Sequence, residues 1–233
     1  MNKFEKVFGT SKNKINKNCI LLPANDRGLF KLLKISKVHR GMFFDVADCE
    51  QCSLISIRHR SFAGDCVLML EDTDCANLIL FGSCGGLSGS IIGEKAVIEK
   101  SLNLESFSSF LNIDNTIPEF IYPDRDLTDR FISYTGADSI EQKACAAVSS
   151  LVLEERNVEL LSSLGISCVD MESSMVFAAA RETKRKAMAV LYVTDLPGEH
   201  NFYDDYSNEI KEKIKGARRS VADTLSTFIH ELS

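Results

Sequence analysis

The chain has 233 residues, 45% of them hydrophobic, enough for one compact domain with its own core and no need of disulfide or metal staples. Its formal net charge is −6 and its pI is near 5.3, which excludes a sequence-independent attraction to nucleic acid or to an anionic membrane surface. Any anion this chain holds must therefore be gripped by local cations or by backbone N–H groups.

Residues 1–18 are polar and rich in Lys and Asn and read as a loose N-terminal arm, leaving 19–233 as a single domain. Cys19–Pro23 reads as a short buried strand, followed by the polar loop Ala24–Gly28 and a helix over Leu29–Ile35. Met42–Val46 and Ser53–Ile57 read as strands, Ala63–Leu70 as a helix, and Asn77–Phe81 as an apolar strand running into Gly82-Ser83-Cys84-Gly85-Gly86. Three glycines in that segment permit a backbone nest of inward N–H groups, an anion-binding device to which the Ser83 hydroxyl adds a donor; the plain alternative is a tight turn. Ala96–Ile98 reads as a strand, and Leu102–Ser139 as loop with short elements.

Ala144–Leu153 reads as a strand, Asn157–Leu164 as a helix ended by Gly165, and Ile166–Val169 as a further strand. Ser173–Thr183 reads as a helix with a small-residue face. Ala187–Val193 is a buried strand delivering Thr194 and Asp195 at its carboxyl end. The cleanest period lies in the last helix, where Tyr206, Ile210, Ile214, Ala217, Val221, Leu225 and Phe228 step by three or four residues. Strands alternating with helices predict a three-layer α/β/α domain with a central mixed sheet, and in such folds the loops at the carboxyl ends of the strands form the site.

Three loops with unusual chemistry sit at such ends: Ala24–Gly28, Gly82–Gly86 and Thr194–Gly198. Three motifs carry the candidate chemistry. The glycine segment is the first. In the second, Asp170-Met171-Glu172-Ser173, two carboxylates flank a methionine at a helix start: an apolar floor beside a strong acceptor, the combination a sugar ring requires. Asp170 there could equally be a helix cap. In the third, Asp195 emerges from an apolar run beside uncharged neighbours, where burial would raise its pKa and fit it for general-acid work; a turn-forming Asp before Pro197-Gly198 is the alternative.

Together, Gly82-Ser83-Cys84-Gly85-Gly86, Val169-Asp170-Met171-Glu172 and Val193-Thr194-Asp195 resemble, in order and spacing, the nucleoside phosphorylase family. This family includes purine nucleoside phosphorylases, uridine phosphorylases and methylthioadenosine-type nucleosidases. Arg40-Gly41-Met42 is similar to a segment of the hexameric purine nucleoside phosphorylases. The resemblance implies cleavage of an N-glycosidic bond through a ribose that gains positive charge. Glu172 would accept from the 2′-hydroxyl, Met171 would lie under the sugar, and Asp195, beside Thr194, would donate to N7 of a purine. Ser83 with Gly82 and Gly85 would hold phosphate, or water in the hydrolases, and Leu153 would lie against the base.

The expected reaction is phosphorolysis to free base and ribose 1-phosphate, with inorganic phosphate as co-substrate, no metal and no organic cofactor. Arg27 and Arg40 are the expected phosphate ligands, Arg40 across a dimer interface. Expected partners are nucleoside and phosphate, with no nucleic acid and no membrane, in a homo-oligomer (a dimer or a hexamer of dimers). Against this pattern, the family's arginine before the glycine segment is Leu80 here, the first loop is shortened to Pro23-Ala24-Asn25-Asp26-Arg27, and an arginine that steadies the catalytic Asp is replaced by Asn208. Arg58 or Arg60 could replace the lost cation. Leu80 and Asp26 motivate a hydrolase on the same fold, and a nucleoside-binding protein without catalysis is the third reading.

Eight cysteines, mostly inside apolar runs, and a polar, basic N-terminus without a signal-peptide pattern predict reduced thiols and a cytoplasmic location. Cys49-Glu50-Gln51-Cys52 has metal or redox spacing. With neither a second pair nor a nearby His cluster, it reads as a turn.

Overall fold

The computed structural model describes residues 2–232 except Asn25, Ser88, 107–118 and 137–139. Among the described residues there are ten strands, paired into one mixed sheet. Its spine is parallel: β1 (Asn18–Leu22) lies between β4 (Ser53–Ile57) and β5 (Asn77–Gly86), and β5 pairs on its other side with β10 (Lys186–Asp195). Outside β4 run the antiparallel β3 (Phe44–Asp48) and the exposed β2 (Val38–Arg40).

At the other end the sheet curls back on itself. From β10 the pairing passes to β6 (Lys95–Leu104), β8 (Glu141–Val148) and β9 (Cys168–Asp170), and β9 returns to β5 through Gly85 and Gly86. The short β7 (Phe120–Ile121) hangs on β6. This partial closure removes an edge that an open sheet would expose. Single-strand periodicity carries no trace of it.

Helices cover both faces. On one side α1 (Lys3–Phe8), α3 (Ala63–Met69) and α7 (Ser173–Glu182) bury Phe8, Val67 and Phe177 against the sheet. On the other, α2 (Arg27–Leu32), α4 (Arg125–Thr135) and α8 (Asn208–Glu231) bury Leu29, Phe131 and Phe228. A third cluster under α5 (Leu151–Arg156) and α6 (Val158–Ser163) gathers Leu153, Leu161 and Val169 inside the curled end.

Several expectations change. The N-terminal residues are not a loose arm: Phe4 and Phe8 stack at 4.3 Å and are buried, and Asn2 and Glu5 form a capping box. Two large rings in six residues outweigh the polar composition around them. Gly41 lets this helix dock, because a Cβ there would meet the Val7 carbonyl oxygen at 2.1 Å. Arg40-Gly41-Met42 thus has a packing role, with Met42 N–H donating to the Lys6 carbonyl at 3.0 Å.

Ala144–Leu153 is not one strand. It breaks after Val148, and Ser150 caps α5 by accepting from the Leu153 N–H. Within the expected irregular stretch Leu102–Ser139, β7 and α4 are formed; Asp124 caps α4, and Leu127 and Phe131 share its buried face. Residues 107–118 and 137–139 of that stretch, and Asn25 of the first loop, lie outside the described residues.

Candidate active site

The parallel spine gathers the site at one end. The carboxyl ends of β1, β4, β5 and β10 point the same way, and β9 leads into α7 beside them. Two small adjoining cavities lie there and share Arg60 and Ser83. Asp170, Met171, Thr194, Asp195, Glu154 and Phe202 line one; Asp26, Glu172, Gly82, Tyr192 and Arg218 line the other.

The glycine segment is not a nest. Gly82 to Gly86 continue β5 as strand, paired with Leu191–Val193 and Asp195 on one side and with Val169 and Cys168 on the other, and none of the three glycines has a left-handed φ. They are needed for closeness: a Cβ on Gly86 would meet Ser90 at 2.7 Å, and one on Gly85 would meet Glu154 Oε1 at 2.9 Å. Ser83 faces both cavities from this strand.

Thr194 and Asp195 are aimed by an irregularity. The register between β10 and β5 shifts between Val193 and Asp195, as at a β-bulge. Thr194 Oγ1 lies 2.6 Å from Asp195 Oδ1 and donates to it. Burial nonetheless raises the Asp195 pKa, and the Thr194 hydrogen bond and the Arg60 charge only partly offset that.

Asp170 is the structural member of its pair. It accepts from the Ser173 N–H at 2.8 Å and from the Ser173 hydroxyl at 2.6 Å, which starts α7. Burial lifts its pKa to about 6. Glu172 is the chemically available member: its Oε1 is buried without a hydrogen-bond partner among the described residues. Arg60 Nε stands 3.4 Å from that oxygen, and Arg60 Nη1 lies 3.3 Å from the Met171 sulfur. Burial, then the Asp170 charge, push the Glu172 pKa up to about 8 against the pull of Arg60.

Three predicted residues lie elsewhere. Leu153 is packed in the third core cluster, while Leu151 and Phe202 line the cavity instead. Arg40, expected to act across a dimer interface, sits on exposed β2, four strands from β5 of its own chain. Arg27 lines a separate groove of about 710 Å³ between α2 and α8, which shares Asp26 and Arg218 with the site. We take the smaller paired cavities as the site because the acidic groups converge there.

Three residues complete the site. Arg60 follows the carboxyl end of β4 and lines both cavities beside Glu172. Arg218 reaches in from α8, its Nε 2.6 Å from Asp26 Oδ2. Both charges were visible in the chain, but nothing local marked Arg218 among the cations of its helix. Glu154, buried and beside Asp195, was hidden inside a stretch expected to be strand. The other member of the charge group, Arg58, turns away to Asp45 at 2.7 Å. Among the described residues no cluster of three or more His, Cys, Asp or Glu could hold a metal ion, and no helix is long and apolar enough to cross a membrane.

A family model of the phosphorylase superfamily matches residues 65–230. A 5′-methylthioadenosine/S-adenosylhomocysteine nucleosidase of Thermotoga maritima is 26% identical over 132 residues, which span 55% of this chain and 59% of that protein. The fold matches the 5′-methylthioadenosine/S-adenosylhomocysteine nucleosidase of Campylobacter jejuni with a TM-score of 0.73 at 15% identity, covering 94% of this chain and all of the other. It also matches a futalosine hydrolase mutant of Helicobacter pylori with a TM-score of 0.70 at 15% identity, covering 93% and 100%.

These relatives are hydrolytic enzymes, and they overturn the phosphorolytic expectation. The physical reason is local. The two guanidinium groups beside Ser83 are directed at Glu172 and Asp26, and the glycine backbone is engaged in the sheet.

Proposed function

We propose a hydrolytic N-glycosidase function for this chain, which belongs to the phosphorylase superfamily. The substrate class is a purine nucleoside, and the 5′-thioadenosine compounds named for the relatives are the first candidates. The observation that carries the reading is the pairing of the two arginines with acids around Ser83. This leaves a cavity edged by carboxylates, suited to a polarised water and hostile to a phosphate anion.

In this reading Asp195, whose pKa burial raises, donates its proton to the departing base. Glu172, once ionised, accepts from the 2′-hydroxyl and favours the positive charge that grows on the ribose, which rests on Met171. Asp26, fixed by Arg218 and by the Leu29 N–H, and Ser83 face the side from which water attacks.

Cleavage of methylthioadenosine or adenosine in phosphate-free buffer should give free base and free sugar, at a rate that added phosphate leaves unchanged. Strict dependence on phosphate, with sugar phosphate as product, would end this reading.

Arg60 adds a second expectation. It is the cation that opposes the rise of the Glu172 pKa. Arg60→Ala should therefore move the ascending limb of kcat/KM against pH to higher pH, since that ratio reports the free enzyme. Each unit of displacement costs about tenfold in rate at a fixed pH below the limb. An Arg60→Ala variant whose pH profile keeps its shape would show that Arg60 does not tune Glu172.

A further inference from the structure

The turn between β3 and β4 holds a pair of thiols that the glycosidase reading does not use. Cys49 Sγ and Cys52 Sγ lie 3.0 Å apart, closer than two non-bonded sulfurs ordinarily pack, and the Cys49 N–H donates to the Cys52 carbonyl at 3.0 Å. The turn is braced from outside, with Asn16 Nδ2 donating to the Glu50 carbonyl and Asn18 Nδ2 to the Gln51 carbonyl. Of the eight cysteines only Cys49 is not buried, and Cys52 behind it is fully buried. One thiol is thus open to a reagent, and the other is covered but in contact with the first.

We propose that Cys49 and Cys52 form a reactive dithiol site for low-molecular-weight disulfides, with Cys49 as the attacking thiolate and Cys52 as the resolving thiol. Cys49 suits the first role because the hydrogen bond from Cys52 pulls its pKa down to about 6, whereas Cys52 is pushed far up by that same bond and by burial. The Cys49 thiolate attacks one sulfur of the external disulfide, a Cys49–S–S–R bond forms, and the other half leaves as a thiolate that takes up a proton. Cys52 then loses its proton and attacks Cys49 Sγ, closing the Cys49–Cys52 disulfide and releasing the second half as a thiol. Two protein thiols are oxidised and one external disulfide is reduced to two thiols.

The site stands apart from the glycosidase cavity. Ser53 opens β4 and pairs with Cys19 at the start of β1, whereas Ser83, Arg60 and Asp195 lie at the carboxyl ends of the spine.

Oxidised glutathione is the probe, used on the native protein at pH 7. The native chain should lose two of its eight free thiols and two hydrogens of mass, with the new disulfide in the peptide holding residues 49–52. Cys52→Ser should instead retain one glutathione on Cys49, and Cys49→Ser should not react. The rate should already be flat between pH 7 and 8, because Cys49 is ionised there. Eight free thiols after incubation, a disulfide mapped to any other pair, or a rate still climbing through pH 8 would each overturn the proposal. The native-protein result stands even where a variant folds poorly.

Discussion

An Asp195→Asn variant should fold like the native chain and lose about 10²–10⁴ of the glycosidase rate, the usual worth of a positioned general acid. The amide keeps the size of the carboxyl and can still accept from Thr194 at 2.6 Å, so packing at the carboxyl end of β10 is undisturbed. It cannot hand over a proton. Burial raises the Asp195 pKa, so the acid form persists above the ordinary carboxylate range, and activity falls as pH rises through the folded value. That descending limb should vanish in the variant along with the rate. The measurement is initial velocity of base release between pH 5 and 9, beside the thermal midpoint. A variant within tenfold of native activity would remove Asp195 from the reaction and leave it as a turn residue before Pro197.

The residues on which this expectation rests were legible because their signals are local. An apolar run ending in Thr194-Asp195 means a buried strand delivering a polar group, and Met171-Glu172 before a small-residue helix sets a carboxylate at the start of α7. The cleanest helix, α8, announced itself by its period and runs over Asn208–Glu231. What escaped depends on partners far apart in the chain. Gly82–Gly86 looks like a loop until β9 and β10 are seen on either side of it. Leu80 marks a missing cation, but nothing local shows that Arg60, beyond β4, enters the cavity and pairs with Glu172. Gly41 carries a family-like motif, yet here its lack of a side chain admits α1. Cys49-Glu50-Gln51-Cys52 forms the turn its spacing suggests without a second pair or a His cluster, and only the folded turn shows its two sulfurs in contact.

Replacing Glu154 by Gln should make the protein more stable in mild alkali, by about 3–5 kcal/mol at pH 8.5 if the whole shift is realised. Glu154 is buried, and its pKa is lifted to about 8, first by burial and then by the charges of Asp195, Glu155 and Asp170. The folded chain therefore holds this proton more tightly than the unfolded chain, whose value is the ordinary 4.5. Stability from the group is fully present below about 4.5, drains away as pH rises, and is gone once pH passes about 8. Glutamine is neutral at every pH and has no such slope. Urea unfolding at pH 5 and at pH 8.5 should show a native chain that weakens between the two and a variant that weakens less. At the upper pH the gain corresponds to roughly 2–4 °C in Tm for each kcal/mol. Asp170 and Glu172, also lifted by burial, keep part of the slope in both proteins. Equal slopes in native and variant would mean that water reaches Glu154 freely and that the carboxyl beside Asp195 is charged at neutral pH. Asp195 would then face a negative neighbour rather than a neutral one, and its own proton would be held still more tightly.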